Sequence, residues 1–101
     1  MITHEEKGVV RVDIRKRDKL FSPEDLRDAL LSVLDSNPAK VILDFSGIEK
    51  IDSSELKLFT LFAQDIRKSN SQTPLILEHL DIGLMKVVIL TGLDSIFDIR
   101  L

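Results

Sequence analysis

Hydrophobic and polar positions alternate in several distinct rhythms along the chain, and each rhythm predicts an element. Val10, Val12 and Ile14 alternate with Arg11 and Asp13, the period of a half-buried strand. Ile2 to His4 forms a short strand before it. Glu5-Glu6-Lys7-Gly8 turns the chain between the two, with Gly8 free to take positive φ. A hairpin is therefore expected at the start.

From residue 22 the period changes to that of a helix. Ser22 can cap, Pro23 suits the first helical position, and Glu24 and Asp25 favour the positive end of the helix dipole. Leu26, Ala29, Leu30, Val33 and Leu34 then follow at helical spacing, and Asn37-Pro38 ends the run. Val41-Ile42-Leu43 is a continuous apolar run, predicted to be a central strand covered on at least one face. Ser46-Gly47 turns the chain.

Asp52 opens a second helix, with Glu55 three residues on as an acidic capping box. This helix is predicted to reach about Lys68. Phe59, Phe62, Ala63 and Ile66 share one side and should face the sheet, whereas Lys57, Thr60, Gln64, Arg67 and Lys68 face outward. Leu61 falls on that polar side, an apolar anchor among charges, and is expected to be exposed. Asn70, Ser71 and Pro74 mark a loop, and Leu75-Ile76-Leu77 the next strand. Asp81 caps a third helix that ends near Gly92, and Ile96, Phe97 and Ile99 suggest a last short strand. The order β-β-α-β-α-β-α-β implies one α/β domain over 1–101 with a mixed sheet of four to five strands and three to four helices.

Composition narrows the function classes. The 101 residues suit a single domain with one modest core. Lys plus Arg number 14 against 17 Asp plus Glu, a net charge of −3, which disfavours nucleic-acid binding. The basic cluster Arg15-Lys16-Arg17 is flanked by Asp13 and Asp18 and reads as a solvated turn or strand edge. There is no cysteine, hence no disulfide or thiolate zinc site. Glu5 and Glu6 stand where a signal peptide would be apolar, and Val87-Val88-Ile89-Leu90 is too short to span a membrane. A cytoplasmic protein without membrane insertion is the expectation. His4 and His79, the two histidines, sit in no metal motif and read as surface or strand-edge residues. No glycine-rich phosphate loop and no G-x-S-x-G elbow is present. Enzyme activity and a cofactor are not expected.

The remaining candidate chemistry is a serine pair after an aspartate at a helix start. Ser53 and Ser54 would project from the end of the sheet. A phosphate there adds about −1.5 to −2 charge, which the free N–H groups of a helix N-terminus tolerate. From local chemistry alone, a plain helix cap remains the more economical reading.

The longer stretch Val41-Ile42-Leu43-Asp44-Phe45-Ser46-Gly47, followed by Ile51-Asp52-Ser53-Ser54-Glu55-Leu56, resembles the signature of the STAS domain. That domain is shared by anti-sigma factor antagonists and the tails of sulphate transporters. Leu90-Thr91-Gly92-Leu93-Asp94-Ser95-Ile96-Phe97-Asp98-Ile99 is similar to the family's closing segment. The resemblance covers essentially the whole chain. It implies a STAS fold and an antagonist that binds an anti-sigma factor that is also a serine kinase. The kinase phosphorylates the antagonist, the complex separates, and a serine phosphatase reverses the step. The resemblance puts the phosphoacceptor at Ser54, with Ser53 second, and the partner surface at Asp52, Ser53, Ser54, Glu55, Lys57, Leu61 and Lys19. A monomer or weak dimer is implied. Two departures stand out. Glu55 replaces a family glycine that lets a partner backbone approach, and is expected to obstruct that approach and to repel a phosphate. Lys16-Arg17-Asp18-Lys19 replaces G-x-L-D, making a segment that often touches the kinase basic. The alternative function is a non-phosphorylated adaptor subunit, such as that of a lipid-transport ATPase complex.

Overall fold

The computed structural model describes residues 2–14, 23–48, 50–69 and 72–100. Strands β1 (Ile2–Glu6) and β2 (Val9–Asp13) form the expected hairpin, with Ile2 opposite Asp13 and Glu6 opposite Val9. Lys7 and Gly8 both turn at positive φ, 54° and 80°. Helix α1 (Pro23–Asp35) follows and ends where Asn37 adopts φ 50°. Its proposed cap, Ser22, lies outside the described residues, as does the basic cluster at 15–17. Then come β3 (Lys40–Asp44), α2 (Ser53–Ser69), β4 (Leu75–Glu78), α3 (Ile82–Leu90), a 3-10 turn (Leu93–Ser95) and β5 (Asp98–Arg100). Loop residues Asn70 and Ser71 lie outside the described residues.

The sheet is mixed and five-stranded, in the order β1-β2-β3-β4-β5. Only the β1–β2 pair is antiparallel; β2–β3, β3–β4 and β4–β5 are parallel. This order decides where the helices go. Each parallel pair is joined by one helix, and each crossover steps the same way along the sheet. Right-handed crossovers then stack all the helices on a single face.

Burial agrees. Val10, Val12, Ile14, Val41, Leu43, Phe45, Leu75 and Leu77 form one continuous core with Leu26, Leu30 and Val33 of α1, Phe59, Phe62, Ala63 and Ile66 of α2, and Leu84 and Val88 of α3. The alternate strand residues Arg11, Asp13, Asp44 and Glu78 lie on the other face and are only half-buried. The inward set of α2 is thus the one its periodicity predicts. Phe45 and Phe59 anchor strand to helix, their rings 5.3 Å apart and tilted by 56°, within the separation at which aromatic pairs attract.

Two expectations change. Ile96 and Phe97 precede the last strand instead of belonging to it. The backbone first tightens into the 3-10 turn, where Ser95, Ile96 and Phe97 donate back to Gly92, Leu93 and Leu93. This drops Leu93 and Phe97 into the core. Arg67, expected on the outer face of α2, is half-buried, and its guanidinium donates to the Thr73 carbonyl at 2.6 Å and the Ile96 carbonyl at 3.2 Å. It ties the end of α2 to the approaches of β4 and β5.

Candidate functional site

Two short polar segments lie between the carboxyl end of β3 and the body of α2. The first is Asp44-Phe45-Ser46-Gly47. Asp44 Oδ1 accepts from the Ser46 N–H at 3.0 Å and from the Ser46 hydroxyl at 2.7 Å, a side chain closing a turn on its own backbone. Gly47 takes φ 78°, which favours glycine, and the Ile48 N–H returns to the Phe45 carbonyl at 3.0 Å. On the open face of the sheet Asp44 also meets Arg11 at 3.3 Å and His79 at 3.1 Å, while Arg11 reaches Glu78 at 2.7 Å. Partial burial pushes the Asp44 carboxyl up, but the two Ser46 bonds and the His79 contact outweigh it and hold the group below its ordinary value. His79 is therefore a surface residue that orders the end of β4.

The second segment starts α2. The Glu55 N–H donates to Asp52 Oδ1 at 2.8 Å, and the Asp52 N–H donates to Glu55 Oε1 at 3.2 Å. This is the reciprocal capping box expected from Asp52 and Glu55. Its consequence overturns the expectation for Glu55 as a surface residue. Glu55 is only 3% exposed, because its side chain folds back onto the cap. Its side chain stands inside the cap and not on the outer surface.

Asp52, Ser53 and Ser54 are exposed. Ser53 lines a surface hollow of about 290 Å³ together with Leu56, Lys57, Thr60, Leu61, Gln64 and Thr91. Three of the expected partner residues, Ser53, Lys57 and Leu61, thus surround one depression. Ser54 points one step further round the helix, on the stripe of Leu58 and Leu61. Leu61 is 45% exposed, as expected, and also borders a second hollow of about 210 Å³ between α1 and α2, with Arg27, Leu31, Leu34 and Asp65 on its rim. It is the ridge between the two. Lys19 lies outside the described residues. Thr91 was not singled out from the sequence as a site residue, although it belongs to the closing segment that did stand out. Its approach to Ser53 is a tertiary event that no local pattern reports.

Among the described residues no group of three or more His, Cys, Asp or Glu side chains could hold a metal ion. No described helix is long and apolar enough to cross a membrane.

No protein-family model matches the chain, and no curated protein matches it in sequence. Solved structures do match. A crystal structure of an anti-sigma factor antagonist from Mycobacterium paratuberculosis has a TM-score of 0.81 at 20% identity, over 98% of this chain and 82% of that one. The NMR structure of the protein TM1081 has a TM-score of 0.74 at 25% identity, over 96% of this chain and 77% of the other. A crystal structure of a putative anti-sigma factor antagonist from Thermotoga maritima has a TM-score of 0.73 at 21% identity, over 98% and 84%. The fold is therefore the STAS fold of these proteins.

Proposed function

We propose that the chain is an anti-sigma factor antagonist. It binds an anti-sigma factor that is also a serine kinase, through the first three turns of α2, and is released when a serine at the start of that helix is phosphorylated. A serine phosphatase would restore binding. The role is regulatory and not catalytic, and fits a cytoplasmic protein.

The observation that carries this reading is the hollow at the start of α2. A serine hydroxyl, a lysine and an exposed leucine line it, beside a cap whose own acids are satisfied internally. An apolar anchor beside a charge is the make-up of a small contact site. A phosphoryl group added at its edge would change the charge of that site by nearly two units without touching the core.

The resemblance gives Ser54 as the phosphoacceptor. The geometry favours Ser53, which lies at the rim of the hollow, one helical turn before Lys57 and two before Leu61. Incubation with the kinase and ATP, followed by mass-spectrometric mapping, separates them. Ser53→Ala should lose the phosphate and Ser54→Ala should keep it. Undiminished incorporation in the double variant would place the phosphate elsewhere and end the switch at the start of α2.

A further inference from the structure

Of the described residues that line the hollow at the start of α2, one is a cation, Lys57, and none is an acid. Most of its other polar groups are spent. The Thr60 hydroxyl donates to the Leu56 carbonyl at 2.9 Å, and the Thr91 hydroxyl to the Val87 and Val88 carbonyls at 2.9 and 3.1 Å. Beyond Thr91, the exposed Ile89 and Leu90 of α3 bring no charge, and Lys86 does not line the hollow.

The acids nearest to Lys57 in sequence are occupied. Asp52 Oδ1 and Glu55 Oε1 accept the two N–H bonds of the cap, and Glu55 is buried. Lys57 is exposed and has no ion-pair partner among the described residues. Its ammonium is therefore available to a negative group that arrives in the hollow.

Ser53 reaches the same lysine. The two residues stand four apart on one helix and both line the hollow. The position that would gain negative charge lies toward the N-terminus, the more favourable order for such a pair. Ordinary exposed ion pairs contribute little, because two long side chains must be held in one geometry. A phosphoserine differs on two counts. It carries about −1.5 to −2 charge, and its short stem has little rotamer freedom to lose. Lys50, two residues before Asp52, is also exposed but does not line the hollow.

We infer that a phosphoryl group on Ser53 pairs with Lys57 and withdraws it from the anti-sigma factor. In the kinase step the Ser53 oxygen bonds the γ-phosphorus of ATP, the bond to the ADP oxygen breaks, and the hydroxyl proton is released. The docking surface then loses its lysine, and because the added charge exceeds the one positive charge it meets, the hollow passes from cationic to anionic. This rests on the antagonist reading with Ser53 as acceptor and names how the modification is read.

The test uses the whole chain with genetically encoded phosphoserine at position 53, so that no kinase is needed, in wild type, Lys57→Gln, Lys57→Arg and Lys50→Gln. In the isolated wild type, the Lys57 side-chain NMR resonances should shift on phosphorylation more than those of Lys50. Unmoved Lys57 resonances overturn the inference. Titrations follow with the anti-sigma factor that a photo-cross-linking residue at Leu61 captures in cells. Unmodified Lys57→Gln should bind at least fivefold more weakly than wild type, with unchanged Tm. Phosphorylation should then weaken Lys57→Gln by a factor at least fivefold smaller than it weakens wild type, since the two changes remove the same contact. Lys57→Arg and Lys50→Gln should follow wild type in both forms. Equal factors in wild type and Lys57→Gln overturn the inference and leave the antagonist reading intact, because phosphorylation still releases the partner. An equal response to Lys50→Gln overturns it as well. If Leu61 captures no anti-sigma factor, the antagonist reading fails and this inference with it.

Discussion

The two polar segments that bracket the loop after β3 look alike in sequence and differ in what they leave free. Asp44-Phe45-Ser46-Gly47 and Asp52-Ser53-Ser54-Glu55 each pair an aspartate with serine. In the first, the serine is consumed: its N–H and hydroxyl both bond Asp44 Oδ1. In the second, the aspartate pairs with Glu55 instead, and both serines remain exposed. One motif is a folding device. The other separates its structural pair, Asp52 and Glu55, from the hydroxyls standing between them. A capping box closed by residues one and four leaves positions two and three outward by the helical period.

The strongest way to break this contrast is Asp44→Ala. It removes the acceptor of both Ser46 bonds and the partner of Arg11 and His79. Bonds to a charged group contribute about 1.5–3 kcal/mol each before context reduces them. We expect a loss of about 2–3 kcal/mol in chemical denaturation, with phosphorylation of the remaining folded protein unchanged. A fall in phosphate incorporation at constant folded fraction would mean that the two segments are functionally coupled.

Next is Glu55→Gly, which installs the glycine of the pattern that the sequence resembles. The capping box is lost, at a cost of about 0.5–2 kcal/mol, and glycine adds up to about 1 kcal/mol within a helix. The helix start should loosen, with a Tm lower than wild type. Glu55→Gln keeps the box geometry and should lie between them. Because Glu55 is buried against its own cap, the phosphorylation rate should respond mainly through stability. Glu55→Gly with unchanged Tm and a faster rate would show instead that the carboxylate acts on the phosphoacceptor directly.

How much of this was legible depends on whether the cause was local. The hairpin, the inward face of α2, the Asp52–Glu55 box and the exposure of Leu61 follow from period and capping, and all were readable. The role of Arg67 was not. Its position on α2 gives a charged outer residue, and only the arrival of Thr73 and Ile96 beside it makes it a clamp. The same holds for Thr91 at the hollow, and for Glu55, whose type was legible while its burial was not. The apolar outer face of α3 was visible as a run of letters, Val87 to Leu90. It read as a question about membranes until the fold showed which residues of the run remained outside.

Leu61→Asp sharpens the other side of the contrast. Exposed positions tolerate substitution within about ±0.5 kcal/mol, so Tm should stay near wild type. Partner binding should weaken by more than about 1 kcal/mol, as for a contact-site anchor. Isothermal titration with the purified anti-sigma factor measures it, and equal affinities would remove Leu61 from the surface.

The smallest expected effect is on the acid limb of stability. The Asp44 carboxyl is held below its ordinary value in the folded chain. A depressed carboxylate favours folding at every pH above its unfolded value. That contribution fades as pH falls through the unfolded value and is gone below the folded one, because the unfolded chain takes up the proton first. Wild type should therefore lose stability more steeply than Asp44→Asn in that acid window. The two curves should run parallel at neutral pH, offset by the bonds an amide cannot reproduce. If Asp44→Asn loses stability as steeply as wild type in that window, the Ser46 bonds and the His79 contact do not hold the Asp44 carboxylate, and the contrast between the two segments fails at its electrostatic end.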